Sequence, residues 1–230
     1  MSTYYFFKVK KLTLPSDSNK ISVQQQIIKD SKIDAPPNSI MELVDEKYND
    51  CFVVYKCIHE KIERKYRRMA GNPEYFPMSV TGGDKPFFAY QNDKLIAFNA
   101  GKELVYGLVK TLHKNFSNLI DLELINVDFK KIMDNTPNMI IGSWFSGLKG
   151  KVKSVGLFGD HVNLDENFNR YNSIADMSML YLDILTESSD DSINIGITKN
   201  GGIILYNGIN GGTKSELNFL FNYLVPNLLQ

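Results

Sequence analysis

The sequence predicts an α+β fold built on a mainly antiparallel sheet with four or so helices. Three observations predict it. Short runs rich in aromatic and β-branched residues recur between turn residues, the helical stretches do not follow strands in regular βαβ order, and two hairpin patterns are each followed by a helix pattern. The chain has 230 residues, 43% hydrophobic and 23% charged, a globular composition that can bury a sizeable core. We read it as a single domain over 1–230, with a boundary near 115–118 that would divide it into two related lobes, 1–116 and 117–230.

The elements follow in order. Residues 4–14 alternate, with Tyr5, Phe7 and Val9 on one side and Lys8 and Lys10 on the other, which is the period of a half-buried strand. Asp17 to Asn19 can cap a helix running to Ser31, and 34–39, with its paired prolines, reads as a connecting loop. Residues 52–58 read as a buried strand or the start of a helix. From there to Met69 the chain reads as helical, with Ile58, Ile62, Tyr66 and Met69 on one stripe and Glu60–Arg64 and Glu63–Arg67 as i,i+4 ion pairs. Residues 71–73 would end that helix, and 72–86 read as an irregular loop.

A hairpin is expected at 87–90 and 95–98, then a helix over 101–115. The same order closes the chain, with a hairpin at 192–198 and 203–206 around Asn200-Gly201 and a helix over 213–224. Both pieces run strand, aromatic, Asn, glycine, Lys, helix, which suggests two hairpin–helix pseudo-repeats. Between them lie expected strands at 119–127, 139–145, 152–158 and 177–186 and a short helix from Phe129.

Charge and cysteine content exclude several classes. Lys plus Arg and Asp plus Glu number 26 each, so no global field draws the protein to nucleic acid or an anionic membrane, and such binding must be local. Cys51 and Cys57 are too few for a disulfide framework and have no neighbouring histidine cluster for zinc. The N-terminus lacks a signal-peptide pattern and no apolar run is long enough to span a bilayer, so a cytoplasmic protein without membrane contact is expected. The Asn-, Ile- and Lys-rich style and the lack of household motifs suggest a role in a phage–host conflict system.

Chemistry-bearing constellations are few. Asp121, Glu123, Asp128 and Lys130 resemble a catalytic set in which a carboxylate and a lysine two apart on one strand hold a divalent cation and polarise water, the chemistry of metal-dependent nucleases. The alternative for Asp128 is a helix cap. Asp160 and His161, in a loop after a strand, form a candidate metal pair, with an ordinary polar turn as the alternative. The nucleophile elbow and the phosphate-binding loop patterns are missing, and no cofactor is implied.

Two basic patches point to nucleic acid. Lys61, Arg64, Lys65, Arg67 and Arg68 would share one helix. Trp144 precedes Lys149, Lys151 and Lys153, whose alternate spacing would place three cations on one strand face beside an aromatic ring. The expected function is therefore a non-enzymatic binding or accessory protein that contacts nucleic acid or a protein partner through local basic patches. The alternatives are a metal-dependent nuclease or phosphohydrolase, and a subunit whose role is assembly alone; self-association is compatible with any of these.

Overall fold

The computed structural model describes residues 1–25, 37–63, 66–69, 72–75, 79–92, 94–185 and 192–229. Among them it has four α-helices and an antiparallel sheet of 12 strands, the α+β class that the sequence predicts. The chain divides into two compact units, Lys8–Glu123 and the union of Met1–Phe7 with Leu124–Gln230. Strand β1 (Ser2–Leu12) contributes to both.

In the unit Lys8–Glu123, β2 (Lys20–Gln24), β3 (Asn38–Tyr48) and β4 (Phe52–His59) form an antiparallel meander. Asn49 and Asp50 turn β3 into β4 at φ 56° and 58°, a left-handed conformation that these residue types tolerate better than most. The helix expected from Asp17 is corrected here. Lys20–Gln24 is extended and pairs with Asn38–Glu42, because the alternating Ile21 and Val23 fit a strand; residues 26–31 of that expected helix lie outside the described residues.

The expected helix from Ile58 to Met69 is also corrected. β4 runs through His59, and β5 (Lys61–Glu63) and β6 (Tyr66–Met69) follow it as extended segments. Residues 72–86, expected as loop, hold β7 (Asn72–Tyr75), paired with β6, and β8 (Ser79–Thr81), paired with β5. The hairpin β9 (Phe87–Asn92) and β10 (Leu95–Asn99) forms where the sequence places it, with Leu95 opposite Asn92. Helix α1 (Lys102–Asn115) then buries Val105, Leu108 and Leu112 at i, i+3 and i+7. Glu103 in its first turn and His113 and Lys114 in its last suit the helix dipole. β11 (Ile120–Leu124) pairs with β1, giving the order β2, β3, β4, β9, β10, β1 with β11 alongside.

In the other unit, α2 (Phe129–Asn135) starts at Asp128. β12 (Ile140–Ser146), β13 (Ser154–Phe158), α3 (Glu166–Ile174), β14 (Asp176–Leu185), β15 (Ser192–Thr198) and β16 (Gly202–Leu205) follow. The strand order is β13, β12, β14, β15, β16, β1. Gly201, at φ 75°, makes the turn between β15 and β16, as the Asn-Gly pair predicts. α4 (Thr213–Asn218) then continues as a wider, π-type helix over Phe219–Leu229.

The core of this unit lies between the helices and one face of the sheet. Phe145 on β12 meets Phe168 of α3 edge-on at 5.5 Å, and Phe6 meets Phe221 at 5.2 Å. Leu180, Leu182 and Ile184 on β14 alternate into this core with Ile193, Ile195 and Ile197 on β15. Tyr4, Tyr5, Phe6 and Phe7 are all buried, so the N-terminal half of β1 is covered on both faces rather than half-buried as the alternation suggests. No helix among the described residues is long and apolar enough to cross a membrane.

Candidate nucleic-acid interface

Because side chains alternate along a strand, the residues between the core positions of β12 and β14 to β16 share the sheet's other face. On β12 this face carries Gly142 and Trp144, on β13 Gly156 and Phe158, and on β14 Met179 and Tyr181. On β15 it carries Gly196, opposite Tyr181, and Tyr206 lies just beyond β16, its N–H bonded to the carbonyl of Asn194. Large rings therefore alternate with glycines across the strands.

The glycines make room for the rings. A Cβ on Gly156 would lie 2.6 Å from the Trp144 ring, and one on Gly142 would lie 2.6 Å from Phe158. On Gly196 it would collide with Met179 and sit 3.2 Å from Tyr206. Each ring thus lies down over its neighbour strand and presents a face. Phe158 meets Tyr181 at 5.1 Å, and Tyr181 stacks with Tyr206 at 6.0 Å.

Unlike the core side, this face stays accessible: Trp144 is 40% exposed, Phe158 61% and Tyr206 38%. The rings of Trp144, Phe158, Tyr181 and Tyr206 therefore form a partly exposed aromatic group on this face. Burial, and then Tyr181, push the Tyr206 hydroxyl up to about 12, so it stays neutral and puts no phenolate charge on the surface.

At one end of β12, two residues beyond Trp144, the chain leaves the sheet at Ser146 and returns at Ser154 directly opposite. Gly147 and Gly150 take φ 76° and 113°, and the Leu148 N–H donates to the Lys153 carbonyl at 3.3 Å, which closes the loop. Lys149, Lys151 and Lys153 project from it, all exposed, and none is ion-paired among the described residues. The expected strand face of three lysines is therefore a loop, since the glycine conformations break the pairing before Ser154. The cations still stand at the end of the strand that carries Trp144.

No protein-family model matches this chain, and no curated protein matches it.

The other basic residues do not form the helical patch expected of them. Lys61 sits on β5 and donates to Glu103 at 3.0 Å, while Arg67 and Arg68 lie on β6 opposite Glu74 and Pro73. Arg64 and Lys65 lie outside the described residues. Strand pairing has replaced the i,i+4 geometry that would have put the cations side by side.

Asp121 and Glu123 are on β11, and Asp128 and Lys130 stand at the start of α2. Glu123 pairs with Lys10 at 2.9 Å, and that ammonium holds its carboxyl below the usual range. Asp128 is the α2 cap, its Oδ1 accepting from the N–H groups of Lys130 (3.0 Å) and Lys131 (3.2 Å), so carboxylate and lysine do not share a strand face. Asp160 and His161 are exposed in the turn after β13, with His161 left-handed at φ 51°. Among the described residues no three His, Cys, Asp or Glu side chains are placed to share a metal ion.

Sequence reasoning named Trp144 and the lysines but missed Phe158, Met179, Tyr181 and Tyr206. The signal was present as aromatic residues set two from glycines, in Gly156-Leu-Phe158 and in Gly142-Ser-Trp144. That spacing marks one sheet face only once neighbouring strands and their register are known.

Proposed function

We propose that the protein is a non-enzymatic accessory factor that holds single-stranded nucleic acid on the aromatic face of β12 to β14, with Lys149, Lys151 and Lys153 on the phosphates. What carries the reading is the exposed Trp144 on the strand that leads into a loop of exposed lysines. Bases stack on such rings whatever their identity, and duplex DNA offers no free base faces to them, so single strands are the preferred form. With a neutral overall charge the attraction must be local, as a loop of three lysines provides.

Trp144 is the only tryptophan of the chain, so fluorescence excited at the indole band reports this site alone. Titration with a single-stranded DNA or RNA oligonucleotide at low salt is expected to quench it, with little response to a duplex. Trp144→Ala is expected to weaken binding, measured by anisotropy of a labelled strand, by about 1–3 kcal/mol. Replacing the three lysines by alanine is expected to reduce the slope of log K against log salt by roughly 2, the share of three phosphates on a single strand. No binding of either single strand at low salt would overturn the reading.

A further inference from the structure

We infer that the protein pairs with a second copy of itself through the outer edge of β13, strand to strand and antiparallel, so that the sheet runs on from one copy into the other. β13 is last in the strand order, and among the described residues nothing pairs with its outer side. Such pairing uses the strand's backbone edge, not its aromatic face, and needs no nucleic acid.

The register with β12 decides which backbone groups are free. Gly159, opposite Ile141, donates its N–H to that residue's carbonyl at 3.0 Å. In an antiparallel pair such hydrogen-bonded positions alternate with positions whose N–H and C=O point away. Val155 and Leu157 therefore turn inward to β12, and Ser154, Gly156 and Phe158 turn their N–H and C=O outward. The Trp144 carbonyl, opposite Gly156, agrees with this phase: it accepts from the Ser178 hydroxyl on β14, away from β13. Natural sheets blunt an open edge with charges, proline or a bulge. Ser154–Phe158 has neither charge nor proline, and its register with β12 runs without a shift. The three lysines stand in the loop before the strand, not on it.

A second copy fits this edge by symmetry. With Gly156 on the two-fold axis, Gly156 faces Gly156 and Ser154 faces Phe158 of the second copy, and each pair exchanges two N–H to O=C bonds. Gly156 brings no side chain to the axis, where a Cβ would lie 2.6 Å from the Trp144 ring. On the other face the half-buried Val155 stands opposite Leu157 of the second copy, an apolar pair made twice. Phe158 and Val152, 61% and 60% exposed, come onto a diagonal across which an aromatic ring can reach. Beyond the strands, the lysine loop of one copy adjoins the exposed Asp160 of the other, so opposite charges meet. The same patch serves both copies, which closes the pair as a dimer.

Sedimentation velocity of the whole chain, without nucleic acid, is expected to show a monomer–dimer equilibrium as the concentration rises to the high micromolar range. Ser154→Pro removes an outward N–H at the first strand residue, where proline is tolerated, and no bond to β12. It is expected to weaken the dimer at least about tenfold, while the melting temperature at low concentration stays at the wild-type value. For the register, Val155→Cys with Leu157→Cys, in a Cys51→Ser background that removes the exposed thiol, is expected to give a disulfide-linked dimer on air oxidation. Ser154→Cys in the same background is expected to give none, since residue 154 of the two copies lies on opposite sides of the axis. A monomer at every concentration, a dimer of wild-type affinity in Ser154→Pro, or equal cross-linking through Ser154→Cys would each overturn the inference.

Discussion

The two hairpin–helix pieces, β9–β10–α1 and β15–β16–α4, share an order but not a way of fixing the helix. In both, the second strand of the hairpin lies next to β1 in the strand order. The first helix runs for 14 residues as a regular α-helix; the second holds that geometry for six and then widens. Different contacts fix the two helices. α1 uses a glycine, Gly107, which lets the His59 ring lie against the helix while its Nδ1 shares a 2.8 Å hydrogen bond with the buried Ser39. α4 uses a carboxylate, Glu216, which accepts from Tyr4 at 2.7 Å and from Ser2 at 3.0 Å. The same supersecondary order thus tolerates a fit of shape in one place and a charge-assisted network in the other, and the two should fail differently.

The largest loss is expected at the carboxylate. Glu216 is 6% exposed, and replacing it by alanine removes the acceptor of two hydroxyls and opens a gap beneath α4. The expected cost is about 3 kcal/mol, from lost charge-assisted hydrogen bonds and incomplete repacking. Urea unfolding of Glu216→Ala, Tyr4→Phe and the double variant would give the coupling between the two groups. A coupling below about 0.5 kcal/mol would show that α4 is held by apolar packing alone.

The fit of shape should show a change of sign. A Cβ on Gly107 would collide with Nε2 of His59 and lie 2.7 Å from its Cδ2. Gly107→Ala gains about 1 kcal/mol of helix propensity but overpacks a ring held by Ser39, at a cost of roughly 1–3 kcal/mol. A net loss of about 1 kcal/mol is expected in the wild-type background. In His59→Ala the same change has room for the methyl group and is expected to stabilise. A loss in both backgrounds would mean that the ring is not the obstacle.

The contrast also shows what the sequence could say. Both hairpins and α1 were legible because period-2 and period-3.6 patterns and an Asn-Gly turn agreed locally. The run from Ile58 to Met69 was misread because its stripe and its acid–base spacing are helical, while partners at 72–75 and 79–81 draw it into strands. The lysine spacing was read as a strand for the same reason, and Gly147 and Gly150 made it a loop. Asp128 was legible as a cap and as a ligand, and only its bonds to the N–H groups of Lys130 and Lys131 decide for the cap. Of the aromatic face, Trp144 could be named from sequence; its partners depend on register across β12, β13, β14 and β15. His59, within the run read as helical, proves to be a buried strand residue.

That histidine gives the smallest effect and the finest test of the difference between the two pieces. Desolvation, and then the Lys61 charge, lower the His59 pKa from its ordinary value of 6.5. The folded state therefore prefers the neutral ring, and the unfolded chain takes up the proton first as the pH falls. Its contribution to stability is fully present above about pH 6.5 and is lost as the pH drops from there toward the lowered folded value. Denaturation midpoints measured between pH 7.5 and 5 should decline more steeply for wild type than for His59→Gln, which keeps a polar head for Ser39 but cannot titrate. The Tyr4→Phe variant, altered only in the other piece, should keep the wild-type slope. Equal slopes in wild type and His59→Gln would place the pH sensitivity elsewhere and leave the contact of α1 with His59 a matter of packing alone.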